Sequence, residues 1–194
     1  MHGIILQTPL PSAVHAADVA QAIDPAKDVD GANPVSLGRL TAGLPAFAPA
    51  TAAAVLRLLD HHGIALASRR AVVVGRSVVV GQPLAQLLLA RDATVTICHS
   101  RTPDLASVTR EADVLVAATG RAGLITAEHV RPGAVVVDVG TTAAADGKLA
   151  GDVDAAGVAA AASALSPVPG GVGPVTNAQL LLATAAAAAG RFPS

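Results

Sequence analysis

The chain has no tryptophan, no tyrosine, only two phenylalanines, one cysteine and one methionine in 194 residues. An aromatic core is excluded, so the interior must be filled by Ala, Val, Leu and Ile. Hydrophobic residues make up 52% and charged residues 14%, enough to bury a core and to exclude a disordered chain. The lone Cys98 forms no internal disulfide, which fits a reducing compartment. A net charge of −1 with no basic block argues against a nucleic-acid or membrane-surface partner. No apolar run reaches the roughly 18 to 20 residues of a membrane span. No export signal opens the chain, so a cytoplasmic location is expected. The histidines show no pairing with cysteine or carboxylate that resembles a ligand set, and no metal site is expected. His61 and His62 read instead as partners of a helix C-terminus.

What is present divides the chain in two. Gly3-Ile4-Ile5-Leu6-Gln7 reads as a buried strand ended by Pro9 and Pro11. Ser12 is placed to cap a helix from Ala13 to Ile23, followed by a polar loop from Asp24 to Gly31. A second helix is expected from Ala50 to His62, with Gly63 as its stop. From there strands and helices alternate. Val-rich runs at Ala71–Val74, Thr94–Ile97, Val114–Ala117 and Ala134–Val139 read as parallel strands buried on both faces. Pro83–Ala90, Asp104–Glu111 and Thr126–Val130 read as the helices or turns between them. The pattern predicts an α/β fold, a Rossmann-type doubly wound parallel sheet. A last helix is expected from Asn177 to Ala189, and the alanine runs at 159–162 and 185–189 read as packed helix.

Chemistry concentrates at the strand ends. In Val74-Gly75-Arg76-Ser77 with Val80-Gly81-Gln82-Pro83, a strand meets a glycine and a helix opens at Gly81. The N–H groups and dipole at that helix start suit a pyrophosphate. The spacing departs from G-x-G-x-x-G, because Ser77 stands at the second glycine position. The next strand ends in Cys98-His99-Ser100-Arg101-Thr102, where an NAD enzyme commonly carries an acid for the ribose 2′-OH. A carboxylate repels a 2′-phosphate, whereas hydroxyls and the Arg76 guanidinium attract one, so NADP is expected over NAD. Gly120, Gly140 and Thr141 follow further strands toward the same crevice. A short-chain dehydrogenase is excluded: it needs a Tyr with a Lys four residues on, and this chain has no Tyr and only Lys27 and Lys148.

Seven stretches together resemble the methylenetetrahydrofolate dehydrogenase/methenyltetrahydrofolate cyclohydrolase family. They are Gly3–Pro11, Lys27-Asp28-Val29-Asp30-Gly31, Val74–Ser77 with Val80-Gly81, Ala93–Thr96 with Cys98–Ser100, Val137–Gly140, Gly151–Asp154 and Pro167–Thr176. The resemblance implies a partial α/β folate-binding catalytic domain at 1–48, a connecting helix at 49–69, an NADP-binding Rossmann domain at 70–173, and a C-terminal helix at 174–194 returning to the first domain. It implies NADP-dependent oxidation of 5,10-methylenetetrahydrofolate and hydrolysis of the methenyl product to 10-formyltetrahydrofolate. It places Gln7 and Asp30 at the catalytic, folate-binding positions. It places Gly75, Arg76, Ser77, Ser100 and Thr141 against the cofactor, with Arg76 and Ser100 on its 2′-phosphate. Pro169, Gly170 and Gly171 fall beside nicotinamide and pterin. An amide such as Gln7 can orient a proton carrier, and an ionised Asp30 can accept paired N–H bonds from a pterin edge.

The family pattern also carries, ahead of the first strand, a Tyr and a Lys four residues on; neither is found here. The family's Pro-Cys-Thr-Pro reads Pro49-Ala50-Thr51-Ala52, and its Ile-Asn reads Thr141-Thr142. Hydride transfer depends mainly on alignment, hydrolysis on a proton carrier. The expectation is retained NADP binding, weak dehydrogenase activity and almost no cyclohydrolase activity. The alternative is a non-catalytic NADP-binding or interaction subunit. An uncovered apolar first strand points to a homodimer or a complementing chain.

Overall fold

The computed structural model describes residues 1–143 and 147–192. Three helices come first: α1 (Ala16–Ala22), α2 (Pro34–Thr41) and α3 (Ala50–His61). An alternating segment follows: β1 (Arg70–Val74), α4 (Gly81–Leu89), β2 (Thr94–Cys98), α5 (Leu105–Thr109), β3 (Val114–Ala117), a 3₁₀ turn at Ala127–His129 and β4 (Val135–Asp138). An antiparallel pair, β5 (Thr142–Ala143) and β6 (Leu149–Ala150), leads to α6 (Ala155–Val158), β7 (Ala164–Leu165) and α7 (Val172–Ala188).

Five strands form one parallel sheet in the order β2-β1-β3-β4-β7. The chain leaves β1 for one side and returns to its other side with β3. That reversal opens a crevice at the carboxyl ends of β1 and β3, the place where such sheets take ligands. Strand residues alternate between two cores, because successive side chains point to opposite faces. Ala71, Val73, Val114, Val116 and Val137 join Val55, Leu59, Leu84 and Leu88 on the side of α3 and α4. Val72, Val74, Leu115, Ala117 and Val136 join Ile125, Val130 and Val158 on the other. A small third cluster holds Val29 and Phe47 against Ala183 and Ala186 of α7. Phe47 and Phe192 meet edge to face at 5.1 Å.

The four expected strands and the expected sheet form within a residue or two of their predicted bounds, but β2 is not buried on both faces: it is the edge strand, and Thr94, Thr96 and Ile97 are exposed. Other expectations are corrected. Gly3–Gln7 makes a single parallel bridge, Ile4 to Asp28, rather than a strand. Its partner segment is itself turning, with Lys27 N–H bonded to Asp24 and Gly31 at φ +65°, so no second rung forms. Ser12 does not cap a helix; it lies in a turn closed by Val14 N–H on Pro11 O, and α1 starts at Ala16. The alanines at 159–162 follow the single turn of α6, and Gly133 N–H bonded to Ala161 O ties them to the turn before β4. α7 begins at Val172, five residues before Asn177, because Pro174 is tolerated in a first helical turn. Only one side of α7 is packed; Leu181 and Leu182 are 74% and 55% exposed. Among the described residues no helix is long and apolar enough to cross a membrane.

The two cores and the bare side of α7 differ in what a truncation removes. Leu115→Ala is expected to lower unfolding free energy by about 2–5 kcal/mol, and Leu181→Ala to change it by less than about 0.5 kcal/mol. Urea denaturation of the two variants checks the contrast.

Candidate functional site

β1 runs into Gly75, at φ +131°, where an added Cβ would lie 2.1 Å from the Ala118 carbonyl oxygen. Gly75 N–H donates to Cys98 O at 2.8 Å, which sets the turn after β1 beside the turn after β2. A Cβ on Gly81 would meet the Gly75 carbonyl oxygen at 2.1 Å, so the 75–81 loop closes on itself. Ser77 holds it shut: its Oγ accepts the N–H of Val80 at 3.2 Å and of Gly81 at 3.4 Å, and its carbonyl accepts Gln82 N–H at 3.0 Å. The head of α4 was expected to offer free amides to a pyrophosphate. Here Ser77 engages them, because the helix has no side-chain cap at Val80.

The turn after β2 is equally defined. His99 N–H donates to Thr102 Oγ1 at 2.9 Å, and Arg101 N–H donates to His99 Nδ1 at 3.1 Å. Ser100, Arg101 and Arg76 all face solvent along this rim. Neither the 75–81 loop nor the 98–102 turn contains a carboxylate. Among the described residues Arg76 makes no ion pair. Cys98, at the strand end, is fully buried; burial pushes its thiol up, with Thr102 opposing.

Farther along the same edge lies a cavity of about 420 Å³ lined by Asp138, Gly140, Thr141, the Pro167–Pro174 loop and the start of α7. Thr141, Pro169, Gly170 and Gly171 meet here. Gly170 sits at φ +104°, and a Cβ on Gly171 would strike Pro167 O at 2.4 Å, so this loop depends on both glycines. Thr51, near the head of α3, completes the wall. Asp30 lies near that helix head, where the Ala50 N–H favours its charged form. Burial raises the Asp30 carboxyl above the ordinary range, the Ala50 N–H opposes, and the neighbouring Asp28 adds to the rise. Gln7 is exposed, its side-chain amide donating only to Thr8 O at 3.4 Å, and does not line the cavity.

Sequence reasoning missed three buried carboxylates. Asp28, two residues before Asp30, accepts Ala32 N–H at 3.0 Å, Asn33 N–H at 2.7 Å and Ser36 Oγ–H at 3.0 Å. Asn33 in turn caps α2 and donates to Ala20 O and Ile23 O. The Asn33-Pro34 pair, a cap followed by a first-turn proline, was the available signal. Asp138 and Asp152 lie inside the Val-Asp-Val-Gly and Gly-Asp-Val-Asp stretches. Asp138 accepts the N–H groups of Gly140, Asp152 and Val153 at 2.8–3.0 Å. Its burial outweighs those bonds and raises its carboxyl, with Asp152 adding. Among the described residues no cluster of three potential metal ligands exists.

A parallel sheet with a glycine turn at its order reversal, and a cleft continuing past the neighbouring strand ends, defines a Rossmann-type nucleotide-binding domain. Residues 49–192 match the model of the tetrahydrofolate dehydrogenase/cyclohydrolase NAD(P)-binding domain, and the chain belongs to that family. It is 66% identical over 192 residues to bifunctional protein FolD 1 of Rhodococcus jostii, covering 99% of this chain and 65% of that protein. It is 63% identical to bifunctional protein FolD 1 of Saccharopolyspora erythraea, covering 100% of this chain and 66% of the relative. The chain therefore spans about two thirds of the length of these relatives. Among solved structures, the bifunctional FolD methylenetetrahydrofolate dehydrogenase/cyclohydrolase of Campylobacter jejuni superposes with a TM-score of 0.95 at 42% identity, over 97% of this chain and 67% of that one. The Trypanosoma brucei FolD, solved with NADP cofactor and inhibitor, gives 0.89 at 41% identity, over 95% and 65%.

Two carboxyl groups near the cleft and one at the opposite end of the sheet are shifted in opposite senses. Asp30 and Asp138 have raised folded values, so their stabilising contribution is complete at low pH and is lost as pH rises through those values. Asp113, lowered first by the Arg70 backbone N–H and then by Arg131, contributes above its unfolded value and loses this as pH falls through its folded one. Carboxyl ¹³C titration is expected to show Asp138 protonating at higher pH than Asp113; the reverse order would contradict the geometry.

Proposed function

We propose that this chain binds NADP across the carboxyl ends of β1 to β4 and a tetrahydrofolate derivative in the 420 Å³ cleft, for the oxidation of 5,10-methylenetetrahydrofolate. One observation carries the reading: the Gly75–Cys98 bond sets Arg76 and Ser100 on adjoining turns, and no acid lies in either. A 2′-phosphate there meets a guanidinium with no ion-pair partner among the described residues. The nicotinamide, when bound, supplies the hydride acceptor. The protein's part is alignment, through the glycine loop at Pro169–Gly171 and through Thr141. Asp30 is suited to accept N–H bonds from a pterin edge, since its carboxyl lies beside the head of α3 and an ionised carboxylate is an acceptor for two donors. On this reading 1–48 and 174–194 form the folate side, 49–69 connect, and 70–173 hold the dinucleotide.

Hydrolysis of the methenyl product makes a further demand. Neither Lys27 nor Lys148 lines the cleft, and the chain has no tyrosine. Among the described residues the Gln7 side chain bonds only to Thr8 O and to no proton carrier. The chain on its own therefore performs hydride transfer weakly and hydrolysis at background. The second reading is a non-catalytic NADP-binding subunit of this family, which would keep the cofactor rim without the chemistry. The exposed Ile5, Leu181 and Leu182 favour a second chain against it, a copy of itself or a complementing one.

Calorimetry is expected to show NADP⁺ binding more tightly than NAD⁺. Arg76→Ala is expected to weaken NADP⁺ about tenfold or more while leaving NAD⁺ unchanged. Equal affinity for the two cofactors in the parent chain overturns the reading. Absorbance at the NADPH band with methylenetetrahydrofolate separates the enzyme from the non-catalytic subunit: slow NADPH formation supports the first, none the second.

A further inference from the structure

Two buried carboxyl groups fasten three loops together beneath the crevice. Asp152 is fully buried, and its Oδ2 accepts the N–H groups of Thr119 and Gly120, just past β3. Its own N–H donates at 2.9 Å to Asp138 Oδ1, which also takes Gly140 N–H at 2.8 Å. The glycines fit this arrangement reciprocally. A Cβ on Gly140, after β4, would lie 2.4 Å from the Asp152 carboxyl, and one on Gly151 would lie 2.0 Å from the Asp138 carboxyl. Asp152 Oδ1 is buried with no hydrogen-bond partner among the described residues. The packing requirements of a helix or a strand do not call for such a group; an uncompensated buried oxygen is unfavourable unless its carboxyl does something else.

The chain of contacts shows what that is. The Gly75 turn abuts Ala118, Ala118 leads into Thr119 and Gly120, Asp152 holds both amides, and Asp138 and Gly140 form the cleft wall. We infer that Asp152 is a positioning residue that ties the phosphate-end turn of the dinucleotide site to the cleft at its ring end. The inference rests on the NADP reading. The Gly75 turn has its own fastenings, to Cys98 and through Ser77, and does not need Asp152. Thr119 and Gly120 do: among the described residues their amides have no other acceptor, and a buried N–H left without one is costly. The far end of the same loop is held by backbone bonds, Gly123 N–H to Gly151 O and Ile125 N–H to Asp152 O, which a side-chain change leaves in place.

The test compares two probes on the 194-residue chain. NADP⁺ spans both ends of the site; adenosine 2′,5′-bisphosphate reaches only the phosphate end. Asp152→Ala is expected to weaken NADP⁺ about tenfold and leave the bisphosphate unchanged. Asp152→Asn keeps one acceptor oxygen for the two amides and is expected to restore NADP⁺ to within about threefold of the parent. Parallel loss of both ligands, no loss of either, or failure of the Asn variant to rescue overturns the inference. A measurement on the parent chain stands apart from the folding of any variant. The Thr119 and Gly120 amide resonances are expected to shift with NADP⁺ and to stay in place with the bisphosphate; movement with both or with neither overturns it. A parent chain that binds neither probe instead overturns the NADP reading, and this inference with it.

Discussion

The two-sided pairing of β1 is the constraint on which the rest of the molecule depends. Hydrogen-bonded to β2 along one edge and β3 along the other, β1 has no freedom to shift register without moving Val72 and Val74 out of one core and Ala71 and Val73 out of the other. Its carboxyl end is thereby fixed, and so is Gly75. From Gly75 the bond to Cys98 and the contact with Ala118 place two further turns. The rim that carries Arg76 and Ser100 is therefore a product of sheet register.

The scarcity of aromatic residues, with none in the two cores of the sheet, shapes the way this register is kept. With interiors made of Val, Leu, Ile and Ala, no single side chain dominates either face, and specificity comes from β-branched residues fitting a pleated surface. Small residues also let backbone come close to backbone. The 75–81 loop and the Pro167–Gly171 loop each pack a glycine Cα against a carbonyl oxygen, so the space a side chain would fill is occupied by main chain. Buried carboxylates then take over the fastening of loops that larger side chains perform elsewhere: Asp28 below α2, Asp138 and Asp152 below the cleft.

The parallel strands were legible because their valine runs are continuous and because the glycines and Pro83 punctuate them. Their partner order was legible only as a class, since pairing is a non-local property. β7 escaped notice: Ala164 and Leu165 are too short a run to stand out, and they become a strand only through the edge that β4 offers. The Gly3–Gln7 run misled for the converse reason. Its composition is that of a strand, but its neighbour is a turn, and one bridge is all that neighbour provides. At the candidate site, residue types that carry charge or flexibility on an exposed rim, such as Arg76, Ser100 and Gly170, could be picked out. The roles of Asp138 and Asp152 could not, because Asp138 reaches amides 14 and 15 residues away and Asp152 reaches amides 32 and 33 residues away. The part Ser77 plays in closing its own loop could not be read either; its oxygen accepts the Val80 and Gly81 amides.

The solitary cysteine supplies the protein with an internal reporter. Cys98 ends β2, the outermost strand on its side, directly under the turn where Ser100 stands. Shielded from solvent and held as a neutral thiol, it is inert to alkylating reagents while that edge stays zipped to β1. Its rate of labelling thus measures how often the margin of the sheet opens, residue-specifically and without an introduced probe. Anything that bridges the first two turns must slow it.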